Sequence, residues 1–581
     1  MCGIAGIFHY DGDPVSAPTV ERFTHTLSHR GPDGWGVHVD GPVGLGHRRL
    51  AILDPTEAGR CPMPYGLPGT GARYWITFNG EVYNFIELRR ELSALGHKFR
   101  SETDTEVVVA AYAEWGEDCL LRFNGMWACA IWDAESQKLF IARDRFGVKP
   151  LYYIQDSRFA FASEMKAFLA LEGFTPKLND AIVETALNSP QACEGTQEQT
   201  LLSGVNKLLP GHCMTVDSHG ARVRRWWNTA DHLAAPPLRY EDQVTLWREL
   251  FLDAVAIRMR SDVPIGTSLS GGLDSSAVAC AMAWSARQDR SHERETGDWR
   301  HAFTASFPGT PLDETHHARL ASEAAGAHMH ITEFGDNVQA EDVIESVWCM
   351  EDVYPGIAVP AVLNYRQMRR HGVVVSLDGH GADEMLCGYP SWLDWSIGEL
   401  NGRLYDQFHR SLLPSILRNY DRTSMASGVE VRMPLMDWRL VCLTFSLPAD
   451  SKVGAGYTKR IFRDAMEGIL PDPLRWRRAK IGFNSPMIHW FNSGLGGFLD
   501  RIIQSDFWRS TTSWDAKKAG ELLLSRSASR GWKHSDWDTL LGLWSKMNLV
   551  IWQEMFLAGN RMPFILNLTG DAPARLDRVF Q

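Results

Sequence analysis

The sequence predicts an α+β domain of two packed sheets covered by helices, followed by a doubly wound, mostly parallel α/β domain with a helical C-terminal part. Three observations carry this. The chain has 581 residues, enough for two or more domains. Its first third holds many short β-like segments with turn residues between them and only two helical patterns, as in packed sheets with a helical cover. After Ala234-Ala235-Pro236-Pro237, the best linker candidate, strands and helices alternate, which points to a parallel sheet with helices on both faces.

In order, the expected strands of the first part are residues 4–8, 44–53, 74–78, 126–133, 139–143, 151–154 and 159–162. The expected helices are 85–95 and 105–115. Trp226 and Trp227 are expected to pack across the join. A helix follows, with Val244, Trp247, Leu250, Phe251, Ala254 and Val255 on one face. Later strands are expected up to Leu269, at 303–307 and at 373–377. Residues 287–300 read as an exposed polar insert. The stripe Trp537, Leu540, Leu541, Trp544, Met547 and Ile551 reads as core packing with no ligand role.

The net charge of −11 is modest for this length and gives no reason to expect nucleic acid. No run of about 18 apolar residues is present to span a membrane. The N-terminus lacks the positive region of a signal peptide. Ten scattered cysteines without a Cys-x-x-Cys pair fit reduced thiols in a cytoplasmic protein better than disulfides or zinc. A homodimer is compatible with the sequence.

The stretch Leu269-Ser270-Gly271-Gly272-Leu273-Asp274-Ser275-Ser276 suits a phosphate group. It joins an apolar strand to a helical run, 277–286. Glycines let backbone N–H groups approach an anion, and a helix N-terminus favours negative charge. The serine hydroxyls add donors, and Asp274 can hold a divalent cation beside phosphate oxygens. The lysine of the Gly-x4-Gly-Lys-Ser/Thr loop is missing. Alone, the stretch is also compatible with an ordinary Gly-Ser turn. At the other end stands Cys2. Once Met1 is removed, its α-amine, with a pKa of about 7.7–8, can take the thiol proton. In order after it come His29-Arg30-Gly31-Pro32-Asp33, His47-Arg48-Arg49-Leu50, Phe78-Asn79-Gly80-Glu81 and Ser101-Glu102-Thr103-Asp104-Thr105.

With these motifs the chain resembles the glutamine-hydrolysing asparagine synthetase family. Residues 1–215 look like the glutaminase domain of class II glutamine amidotransferases, which are N-terminal nucleophile hydrolases with an αββα sandwich. Residues 216–240 would be the linker and 241–581 an ATP-dependent synthetase domain. The resemblance implies that Cys2 attacks the glutamine side-chain amide, with Asn79 and the Gly80 N–H as oxyanion hole. Arg49 would pair with the glutamine α-carboxylate, and Asp104 and Glu81 would hold its α-amino end. The loop at 269–276 looks like that of the ATP pyrophosphatases, which split ATP between its α and β phosphates. ATP would be held by Leu269, Ser270, Gly271, Gly272, Asp274, Ser275 and Ser276, with Asp378 and Gly379.

Further matches lie in the second domain. The family has an acidic pair near the nucleotide where this chain has Asp313-Glu314. Asp383 would be a second Mg²⁺ ligand opposite Asp274. Lys480, in Arg477-Arg478-Ala479-Lys480-Ile481-Gly482-Phe483, would face the phosphates during adenylation. Arg422, Glu430 and Arg432 read as buried ion pairs. One position departs from the family. Its Ser-Gly-Glu-Gly-Ala-Asp-Glu is Asp378-Gly379-His380-Gly381-Ala382-Asp383-Glu384 here. The glutamate beside the acceptor becomes His380, whose neutral imidazole can still accept a proton. The fixed negative charge that would suit the ammonium group of aspartate is lost.

The implied reaction is adenylation of a carboxylate, then attack by ammonia released from glutamine. The acceptor is aspartate by default. The rivals are the same chemistry on another carboxylic acid, and a glutaminase whose second domain only binds nucleotide as a regulator. Residues 491–581 and the insert 287–300 carry no usable motif.

Overall fold

The computed structural model describes residues 2–66, 71–288, 293–335, 337–482, 485–493, 495–529 and 531–558. Phe483, residues 289–292 of the polar insert and residues 559–581 of the tail lie outside them. The first part is a sandwich of two six-stranded antiparallel sheets. One runs Asn206–Lys207, Tyr152–Gln155, Arg158–Ala162, Gly3–His9, Val43–Arg49 and Gly34–Asp40 in spatial order. The other runs Gly220–Arg225, His212–Asp217, Lys138–Arg143, Gly125–Asp133, Tyr74–Val82 and Met63–Tyr65. Between them Ile4, Phe8, Phe159 and Phe161 of the first meet Ala128, Trp132, Leu139 and Met214 of the second. The helix Ala17–His25 covers one outer face, and Phe85–Ala94 and Asp104–Trp115 cover the other.

The second part has a five-stranded sheet, every neighbouring pair parallel: His328–Glu333, His301–Ser306, Ile265–Ser268, Val375–Leu377 and Glu430–Arg432 in spatial order. The chain builds outward from Ile265–Ser268 in one direction, then resumes on its other side with Val375–Leu377. The order therefore reverses between these two strands, and ligands of open α/β sheets bind at the carboxyl ends of such a switch point. Both expected loops, 269–276 and 378–384, leave there.

Three expectations change. The stretch 216–240 is not all linker. Residues 216–217 end the strand His212–Asp217, and Gly220–Arg225 pairs with it across six positions. These strands are hard to read because Gly220–Arg225 is polar and mostly exposed. The insert 287–300 is not wholly a free loop. Trp299 is buried and Arg294 pairs with Asp262. Of the two tryptophans at the join only Trp227 reaches across, its ring centroid 5.8 Å from that of Trp438. Trp226 stacks on Trp127 instead.

The domains meet through buried ion pairs. Arg30 donates to Glu164 of its own domain and to both oxygens of Asp421 in the other. Arg422, fully buried, lies 3.1 Å from Glu351 and 3.5 Å from Glu164. Removing one partner of such a network leaves bare charge in a low-dielectric interior. Arg422→Met is expected to cost about 3–5 kcal/mol, read as a lower urea midpoint, with no comparable loss in the exposed-pair control Arg403→Met.

Candidate active sites

The first site lies where the strand Gly3–His9 begins. Cys2, Arg49, Gly80, Glu81, Thr103 and Asp104 line it. Cys2 N is 3.0 Å from Asn79 Oδ1. This nitrogen becomes the α-amine once Met1 is removed. Asn79 Nδ2 is buried without a hydrogen-bond partner, a donor left for an oxyanion to satisfy. Gly80 has no room for a side chain, since a Cβ would meet Met126 O at 2.2 Å. Burial pushes the Cys2 thiol up, so a nearby base has to make the thiolate.

Arg49 donates Nη1 to Thr56 O at 2.7 Å and Nη2 to Asp54 O at 2.5 Å. Among the described residues no carboxylate is ion-paired with it, so its charge is available to a ligand carboxylate. Asp104 accepts the Val82 N–H at 2.9 Å, and burial raises its carboxyl to about 6. Glu81 is raised too, by burial and by Asp104. The second domain closes this pocket. Arg432 lies 3.2 Å from Glu81 and bonds Glu430 at 2.6 Å, and Glu430 lines the pocket.

The second site is a cleft of ≈ 410 Å³ at the switch point. Gly271 has φ +80°, and a Cβ there would meet Ala318 N at 2.5 Å, so glycine is required. Gly272 caps the helix Leu273–Ser285. Ser270 Oγ lies 3.0 Å from Ser275 Oγ and accepts from Gly272 N. Gly379 brings the two loops into contact: a Cβ on it would meet Asp274 C at 2.6 Å.

At the head of the loop two carboxylates converge on one cation. Lys459 Nζ is 2.6 Å from Asp274 Oδ2 and 2.5 Å from Asp383 Oδ1. Lys480 Nζ donates to Asp383 Oδ2 at 2.7 Å. Burial raises Asp274. Against the burial that would raise it as well, Lys459 and Lys480 hold Asp383 below the usual carboxylate range. Burial and Asp383 push Glu384 up to about 8. His380 lies against Tyr420, ring centroids 3.6 Å apart and planes tilted by 33°, with Nε2 3.6 Å from Asp378 Oδ2.

Comparison with known proteins follows this division. A glutamine amidotransferase domain model matches residues 1–227, and an asparagine synthase model matches 246–399 and 394–554. Glutamine-hydrolysing asparagine synthetase 3 of Bacillus subtilis is 33% identical, over 91% of this chain and 94% of that protein. Asparagine synthetase 1 of the same organism is 28% identical, over 97% and 98%. The chain belongs to the glutamine-hydrolysing asparagine synthetase family. It is thus an asparagine-synthetase-like amidotransferase and ligase, with the two sites in separate domains. Among the described residues no helix is long and apolar enough to cross a membrane.

In this family member the expected residues divide. Cys2, Arg49, Gly80, Glu81 and Asp104 share one pocket, with Asn79 at its edge. Ser270, Gly272, Asp274, Ser275, Asp378, Gly379, His380, Asp383 and Lys480 share the cleft. Leu269, Gly271 and Ser276 do not line it. Leu269 and Ser276 are buried, and Gly271 serves the turn. Asp378 accepts from Ser268 N, Ser376 Oγ and Tyr365 OH, so it clamps the strand ends. Asp313 caps Thr315, whereas Glu314 lines the cleft and pairs with Arg477 at 2.6 Å.

Sequence reasoning missed Lys459. Its signal was only the polar run Tyr457-Thr458-Lys459-Arg460 ahead of the helix Arg460–Ala465. Its left-handed backbone, φ 55°, is strain of the kind that collects at functional sites. The stripe at 537–551 is core only in part. Leu540, Trp544, Met547 and Ile551 are buried, but Trp537 and Leu541 line the cleft.

Proposed function

We propose that the protein makes an amide from a carboxylic acid, using ATP and the side-chain nitrogen of glutamine, with aspartate as the family's default acceptor. The observation that carries the reading is the convergence of Asp274, Asp383, Lys459 and Lys480 on the head of the phosphate loop, in one chain with the Cys2 pocket. In that pocket Cys2 Sγ attacks the glutamine amide carbon, and its α-amine takes the thiol proton. Asn79 Nδ2 and the Gly80 N–H meet the oxyanion. Arg49 holds the α-carboxylate, and Asp104 and Glu81 hold the α-ammonium group.

In the cleft, Ser270, Gly272 and Ser275 hold the departing pyrophosphate at the helix N-terminus. Asp274 and Asp383 would hold Mg²⁺ through carboxylate oxygens beside the Lys459 ammonium that both already face. A bound ion would neutralise triphosphate charge there. Lys459 and Lys480 meet the charge that grows as the carboxylate oxygen bonds the α-phosphorus and the bond to pyrophosphate breaks. Ammonia then bonds the acyl carbon, AMP leaves with the C–O electron pair, and His380 takes the proton. The deciding assay supplies glutamine, ATP and Mg²⁺, and measures AMP and pyrophosphate with and without carboxylic acids. Glutamine hydrolysis with no AMP or pyrophosphate in the presence of any acid would leave only a regulated glutaminase.

Asp104 gives this reading a pH dependence. Its folded pKa is raised to about 6, and only the ionised form attracts the substrate ammonium. Below about pH 6 the group is protonated, so kcat/KM for glutamine hydrolysis is expected to fall tenfold per pH unit. The ammonium-dependent synthetase reaction, measured beside it, should show no limb from this group.

A further inference from the structure

We infer that the acceptor is a carboxylic acid with an uncharged, largely apolar body, rather than a small amino acid such as aspartate. This rests on the amide-forming reading and names its substrate class. The cleft has two unlike ends. Its charged lining side chains among the described residues come from positions 274, 314, 378–384 and 459–480, the segments gathered around the phosphate loop. Past His380 the cleft continues into a chamber of different character.

One wall of this chamber is the helix Leu412–Met425. Leu412, Ile416 and Tyr420, four residues apart, present one face of it. Tyr354, Trp537 and Leu541 form the other side. The Trp544 indole fixes that side by donating to Tyr354 O at 3.0 Å and Gly356 O at 2.9 Å. Trp537 and Leu541 stand on the same helical face as Trp544. The Tyr420 ring lies against His380, so the chamber opens where the acyl carbon would meet the nitrogen.

The polar groups here are neutral: Asn419 Nδ2 donates to Tyr354 OH at 2.9 Å, and Asn419 Oδ1 is a buried acceptor without a partner among the described residues. Arg418, on the same turn, is buried in ion pairs with Glu194 and Asp352. Aspartate brings an ammonium group and a second carboxylate beyond the reacting carboxyl. One neutral amide oxygen cannot neutralise both, and burying two charges without charged partners is costly. An aromatic or aliphatic body loses nothing there and gains contact with the ring-lined walls.

The test supplies ammonium chloride as nitrogen donor and measures AMP release with aspartate and with 4-phenylbutanoate as the probe acid. The probe should give a kcat/KM at least tenfold above that of aspartate. Leu541→Arg and, from the opposite wall, Ile416→Asp should each lower the probe's value at least tenfold. Glutamine hydrolysis, unchanged in both, reports that the variants are folded. AMP release with aspartate equal to or above the probe overturns the inference and leaves the amide-forming reading standing. So does a probe reaction indifferent to both variants. AMP release with neither acid overturns both together.

Discussion

Lys459→Met is expected to lower pyrophosphate release by at least about 10²–10³-fold, with glutamine hydrolysis unchanged. The ammonium group sits 2.5–2.7 Å from both carboxylates that flank the phosphate loop. It is buried there and placed by a left-handed residue at the start of the helix Arg460–Ala465. A charge preset at that point costs no reorganisation when negative charge develops on the phosphate oxygens and the departing pyrophosphate. Methionine keeps much of the stem's bulk and removes the charge. Gly388 packs tightly here: a Cβ on it would lie 1.8 Å from Asp383 Oδ1 and 2.5 Å from Lys459 Cε. The thiol pocket contains no part of this cluster, so its hydrolysis rate serves as the folding control. Normal pyrophosphate release from the variant would reduce Lys459 to a structural counter-ion of two buried aspartates.

What the sequence revealed follows the range of the forces involved. The strand Gly125–Asp133 and the helix Phe85–Ala94 are decided by apolar patterns within ten residues and lie within a residue or two of the expected 126–133 and 85–95. The strand Gly34–Asp40 was hidden by two glycines, a histidine and an aspartate. It forms because it pairs with Val43–Arg49 over seven positions. Glu430–Arg432 carries two charges in three residues, yet it is a fully buried strand whose charges are neutralised by each other and by Glu81 of the other domain. No local window contains that partner. The phosphate loop was legible because its chemistry is local: glycines, serines and a helix start within eight residues. Lys459 and the chamber wall at Trp537 and Leu541 are brought to the cleft from about 185 and 265 residues away, by packing alone.

Cys2→Ala is expected to abolish glutamine-dependent amide formation, a loss of about 10⁴-fold or more, while activity with added ammonium salt stays within twofold. The thiol is the only atom group removed, and it is the atom that bonds the glutamine carbon. Apart from a 4.0 Å contact of its Sγ with Leu50 O, the link from this residue to the rest of the molecule runs through its backbone. Arg30 Nε accepts no change, because it donates to Cys2 O at 3.0 Å, and alanine keeps that carbonyl. Arg30 also holds Asp421 at 2.9 and 3.1 Å, and Asp421 adjoins Tyr420, whose ring lies against His380. The interface that carries the synthetase helix is therefore intact in the variant, and ammonia entering from solvent meets an undisturbed cleft. Parallel assays with glutamine and with ammonium chloride decide it. Loss of both activities in a folded variant would mean that Cys2 takes part in adenylation and that the division into two sites is wrong.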